Sequence, residues 1–76
     1  MIKYRLISKN NDWYVYEYYS CYEEDKGIVE FNFIEGKLDI KKKCETVDVS
    51  EVEFYYALKR RLDEKRLDDE GLIAWY

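Results

Sequence analysis

Hydrophobic periodicity changes once along this chain, at Val49, and that change dictates a sheet followed by a helix. Ile2 to Leu6 alternate apolar and polar residues, the mark of a half-buried strand, which the pattern extends to Ser8. Lys9-Asn10-Asn11-Asp12 then supplies side chains that tolerate left-handed backbone and bond to it, so a tight hairpin connection is predicted. Trp13 to Tyr19 is almost wholly aromatic and β-branched, which makes a second strand. A charged loop from Glu23 to Gly27 leads to a third strand from Ile28 to Ile34. A turn at Glu35-Gly36-Lys37 leads to a weaker fourth strand from Leu38 to Cys44. Connections this short hold no parallel crossover, so the four strands should form an antiparallel meander.

Beyond Val49 the spacing becomes helical. Ser50 and Glu53 stand at capping-box spacing, and Val49 and Phe54 at the spacing of a hydrophobic staple. The predicted helix runs from Glu51 to about Leu67 or Asp68. Its apolar stripe is Phe54, Tyr55, Leu58 and Leu62, supported by Val52 and Ala57, with Lys59, Arg60, Asp63 and Glu64 turned away. Asp68-Asp69-Glu70-Gly71 should end it, with Gly71 making the reversal. The closing segment Leu72 to Tyr76 is too apolar to hang free and should dock as an added edge strand or as a plug beside the helix.

Seventy-six residues allow one small core, so residues 1–76 are read as a single domain. A composition of 47% hydrophobic and 39% charged residues, without proline, belongs to a folded globular chain rather than a disordered or membrane-spanning one. The formal charge of −4 argues against nonspecific attraction to nucleic-acid phosphate or anionic lipid. There is no histidine, so imidazole bases, catalytic triads and histidine-containing metal sites are excluded. The first residues hold neither a signal-peptide core nor a cleavage site, and no stretch approaches a membrane span. The expected setting is cytoplasmic, with Cys21 and Cys44 as reduced thiols.

Strand parity assigns the two faces. Ile2, Tyr4 and Leu6 share one side of the first strand, and Val29, Phe31 and Phe33 one side of the third. In the second strand the cost of burying an ionised Glu17 turns Tyr14, Tyr16 and Tyr18 toward the helix. Leu38 and Ile40 join them. The opposite face then carries Ile7, Trp13, Val15, Tyr19, Ile28 and Ile34 among polar neighbours that include Arg5, Glu17 and Asn32. One helix cannot cover both sides, so Arg5, Ile7, Trp13, Val15, Glu17, Tyr19 and Ile34 are the candidate interaction residues. Tyr55, Tyr56, Trp75 and Tyr76 form a second aromatic group near the helix, for which core packing is the simpler role.

Chemistry is sparse. Cys21 and Cys44 fall on strands separated by a third, beyond disulfide reach, and a thiol without histidine is read as a packing residue. The acidic runs Glu23-Glu24-Asp25 and Asp68-Asp69-Glu70 lack a calcium-loop register, so no metal and no cofactor are expected. Lys41-Lys42-Lys43 reads as edge protection. The resulting expectation is a noncatalytic protein-interaction module whose partner is a protein, either a second copy in a homodimer or the target of an inhibitor or immunity-type protein. By charge alone that target would be basic. The alternative is single-stranded nucleic-acid binding on the aromatic open sheet face, against which the net charge and the missing recognition motif both argue.

Overall fold

The computed structural model describes residues 2–20, 24–45 and 50–73, which form an α+β fold. Strands β1 (Ile2–Asn10), β2 (Trp13–Tyr19), β3 (Gly27–Asn32) and β4 (Lys37–Lys42) make an antiparallel meander, followed by helix α1 (Glu51–Asp63) and strand β5 (Glu70–Ile73). The sheet has five strands, in the order β4-β3-β2-β1-β5, rather than the expected four. β5 lies antiparallel to β1, pairing Ile73 with Ile2 and Glu70 with Arg5, and the Leu6 amide donates to the Asp69 carbonyl at 2.6 Å. The closing segment is thus an added edge strand as far as Ile73. It satisfies backbone groups that β1 would otherwise leave unpaired. The Val49 staple and residues Cys21, Trp75 and Tyr76 lie outside the described residues.

The parity assignment holds for the first three strands, and Leu38 packs against the core, but Ile40, expected to join it from the edge strand β4, is 42% exposed. Ile2, Tyr4, Tyr16, Tyr18, Val29, Phe31 and Phe33 are buried with Phe54, Tyr55 and Leu58 of α1. Phe54 sits among four rings, with centroids 5.2 Å from Phe31, 5.4 Å from Tyr18, 6.0 Å from Tyr4 and 6.3 Å from Tyr16. Edge-to-face and tilted approaches of this kind add to the gain from burial. Two irregularities modify the ladders. β1 gains an extra residue at Ile7, between Leu6 and Ser8, so Lys9 rather than Ser8 comes opposite Tyr14. Its ammonium stands 4.9 Å from that ring. β4 is irregular where Ile28 and Val29 meet Lys42 and Ile40. Asn11, at φ 56, makes the β1–β2 turn.

Asn32 departs from its expected place among the exposed polar residues. It is 2% exposed, and its Oδ1 accepts from the amides of Ile34 at 3.1 Å and Glu35 at 2.9 Å. The side chain therefore builds the β3–β4 turn, which Gly36 closes at φ 69. Ile34 consequently belongs to the turn and not to the third strand.

α1 starts where expected, with the Ser50 hydroxyl accepting from the Glu53 amide at 3.2 Å. It ends earlier than expected, at Asp63. Lys65 takes the left-handed conformation (φ 58), the Lys65 amide donates to Leu62 and the Arg66 amide to Arg61, which satisfies the last carbonyls. The reversal expected of Gly71 is made here by a lysine. Val52, expected to support the stripe, is 51% exposed.

Gly71 is used differently, as is Gly27. Gly27 stands opposite Tyr18 and Gly71 opposite Tyr4, and each tyrosine ring lies over the bare glycine of the neighbouring strand. Those rings reach α1 through their hydroxyls. Tyr18 donates to Glu51 Oε1 at 3.1 Å and accepts from the Cys44 amide at 3.3 Å. Tyr4 accepts from Arg61 Nη1 at 3.0 Å, while Arg61 Nη2 donates to the Leu72 carbonyl at 2.8 Å. Both ends of the helix are tied to the sheet.

Burial pushes the Tyr18 phenol from its ordinary 10.0 up to about 12; the Cys44 amide opposes this, and the Glu51 carboxylate reinforces it. Burial raises the Tyr16 phenol as well, with Tyr4, Tyr14 and Asp69 adding to the effect. A phenol raised on folding contributes stability that is complete below pH 10.0 and lost as pH climbs through the folded value. The expected result is alkaline unfolding that sets in above pH 10. Tyrosinate absorbance of the buried phenols and far-UV circular dichroism should change together. Ionisation of Tyr16 and Tyr18 near pH 10 with the fold intact would contradict it.

Candidate interaction face

The side of the sheet away from α1 is built from the alternate residues of every strand, so its layout follows from the pairing. One row carries Tyr19, Lys3 and Leu72 across β2, β1 and β5. The next carries Ile28, Glu17, Arg5 and Glu70 across β3, β2, β1 and β5. A third row holds Asp39, Glu30, Val15 and Ser8, and a fourth Lys37, Asn32, Trp13 and Asn10. Among the described residues no helix or strand packs over this side. Trp13, Val15, Tyr19 and Ile28 are half-buried there.

The structure brings five of the seven expected residues onto this face: Arg5, Trp13, Val15, Glu17 and Tyr19. The other two are displaced. Ile7 is the extra residue of β1 and is 48% exposed; Ile34, in the turn, is 77% exposed beyond the end of the sheet. Lys26 and Leu72 were missed. Lys26 keeps the parity of Ile28 and Glu30 one step before β3, a signal that period-two reading could have found; Leu72 reaches the face only through the β5–β1 pairing.

Charge is organised around Glu17. Its Oε1 lies 2.7 Å from Arg5 Nη2 and 3.7 Å from Lys26 Nζ, and its side chain is 13% exposed. Beside it the Tyr19 ring stands between two ammonium groups, with Lys26 Nζ at 5.5 Å and Lys3 Nζ at 5.9 Å from the centroid. These groups, with Leu72 and Glu70, line an open depression of about 490 Å³. Across the sheet Lys41 bridges Asp39 at 2.7 Å and Glu30 at 3.4 Å, and those hydrogen bonds raise its pKa.

Elsewhere, Cys44 is a buried thiol whose Sγ donates to the Asp25 carbonyl at 2.9 Å. In the second aromatic group Tyr55 is buried and Tyr56 is 65% exposed, beside a depression of about 440 Å³ lined by Arg60, Arg61 and Arg66. Among the described residues no group of Cys, Asp and Glu is arranged to hold a metal ion, and no helix is long and apolar enough to cross a membrane. Comparison with protein-family models, with curated proteins and with solved structures finds no match.

Proposed function

We propose that this chain is a noncatalytic protein-interaction module that docks its partner on the open sheet face, in the manner of a small inhibitor or immunity-type protein. The observation that carries this reading is that, among the described residues, no helix or strand packs over the rows of this face. α1 and the aromatic core occupy one side, β5 goes to the sheet edge, and Trp13, Val15, Tyr19, Ile28 and Leu72 are left facing outward on the other. Aromatic and aliphatic side chains bordered by charged groups are the usual make-up of a protein-binding surface, with the rings as anchors.

Trp13 tests the reading with little risk to the fold, because it lies opposite the core. Trp13→Ser is expected to weaken partner binding or self-association by about 2 kcal/mol, the loss typical of an interface anchor. The circular dichroism and thermal midpoint should change little. Sedimentation velocity reads self-association, and affinity capture from the source cell reads a foreign partner. Unaltered association in the variant would rule out the Trp13 face.

A further inference from the structure

Resting on that reading of the open face, we infer that its partner is an acidic polypeptide segment whose carboxylates enter the depression around Tyr19. The chain carries a formal charge of −4, yet the open face has the opposite bias. Lys3, Arg5, Lys26, Lys37, Lys41 and Lys42 outnumber Glu17, Glu30, Asp39 and Glu70 there. The acidic excess lies in the segments between the elements, since α1 carries as many basic as acidic residues. This bias favours an acidic partner over a basic one on the open face and steers its approach. It also reverses the basic partner that total charge alone would suggest.

The corner at Tyr19 is the strongest part of the surface. Lys3 and Lys26 flank one ring, while Arg5, 59% exposed, gives Nη2 to Glu17 and presents the rest of its guanidinium toward solvent. A carboxylate entering the depression meets three cations, which outnumber the carboxylates of Glu17 and Glu70 in the same lining, and an adjoining apolar side chain meets Tyr19 and Leu72. A second copy would bring the same cation-rich face against itself. A nucleic-acid strand fits less well. Glu17, Glu30 and Asp39 interrupt any continuous cationic track, and the other large ring, Trp13, stands six residues along β2, about 20 Å away.

The test is an NMR titration of the ¹⁵N-labelled full chain with hexaglutamate, run beside hexalysine and hexathymidylate. Hexaglutamate should shift the amides of Lys3, Tyr19, Lys26 and Leu72, with an affinity that falls as salt rises. The Lys3→Glu/Lys26→Glu pair should weaken it about tenfold, and Lys3→Gln/Lys26→Gln by less, so a folding defect in the first leaves the second to decide. Tighter binding of hexathymidylate at this corner would make the ligand a nucleic acid and overturn the inference. Hexalysine or a second copy covering Trp13, with no response to hexaglutamate, would overturn the acidic partner while leaving the interaction face standing. No perturbation of the face by any partner would remove both.

Discussion

Phe54→Ala is expected to cost about 3–5 kcal/mol, the range for removing a fully buried ring. Phe54 is 1% exposed and is the side chain through which α1 touches β1, β2 and β3 together, by way of Tyr4, Tyr16, Tyr18 and Phe31. These rings are held from behind by the sheet and, for Tyr4 and Tyr18, by hydrogen bonds to α1, so they cannot collapse into the space left. A chain of this size has roughly 4–11 kcal/mol of stability in all. The variant should therefore show a much lower urea midpoint, and a population partly unfolded at room temperature. A midpoint shifted by less than about 1 kcal/mol would mean that the ring cluster is not the keystone that its geometry implies.

Gly27→Ala should be the costliest single-methyl addition in the chain, at about 3 kcal/mol, the upper end of ordinary overpacking. A β-carbon at Gly27 would fall 2.4 Å from both Cε1 and Cζ of Tyr18. A free tyrosine would swing aside. This one is 2% exposed, packed 5.4 Å from Phe54, and bonded through its hydroxyl to Glu51 and the Cys44 amide. Two other glycines calibrate the claim. At Gly71 the nearest atom is the Tyr4 hydroxyl at 2.9 Å, a milder approach, and at Gly36 the nearest is 3.8 Å away but the backbone lies at φ 69. Thermal unfolding of the three alanine variants should therefore rank Gly27 as most damaging. A Gly36 variant worse than the Gly27 variant would refute the ring-over-glycine account.

How much of this was legible in the sequence depends on how local each determinant is. The inward tyrosines of β2 could be read because Glu17 alternates with them, and burying an ionised carboxylate costs more than leaving Trp13 and Val15 outside. Ser50 could be read because its cap is satisfied within one turn. Other features depend on distant partners. Lys65 takes a conformation that favours glycine because the chain must reverse there for Asp69 to reach Leu6. Gly71, the obvious helix breaker, lies instead beneath Tyr4, a contact that exists only once β5 is beside β1. The candidate face shows the same division. Trp13, Val15, Glu17 and Tyr19 follow from parity within one strand, whereas Ile34 was lost to a turn that the buried Asn32 side chain organises. The sign of the face was hidden for a related reason, since net charge counts residues without regard to the side on which the sheet puts them.

The two hydroxyl ties bear on how the chain comes apart. Glu51 and Arg61 are ten residues apart on α1, about 15 Å, and each is fastened to a tyrosine that is itself seated on a strand. Fraying from either end meets a fastening within the first or last turn, and loosening one leaves the other closed. The helix has no cheap way to peel off, so the least opening that wets the aromatic core is dissolution of the whole layer pair.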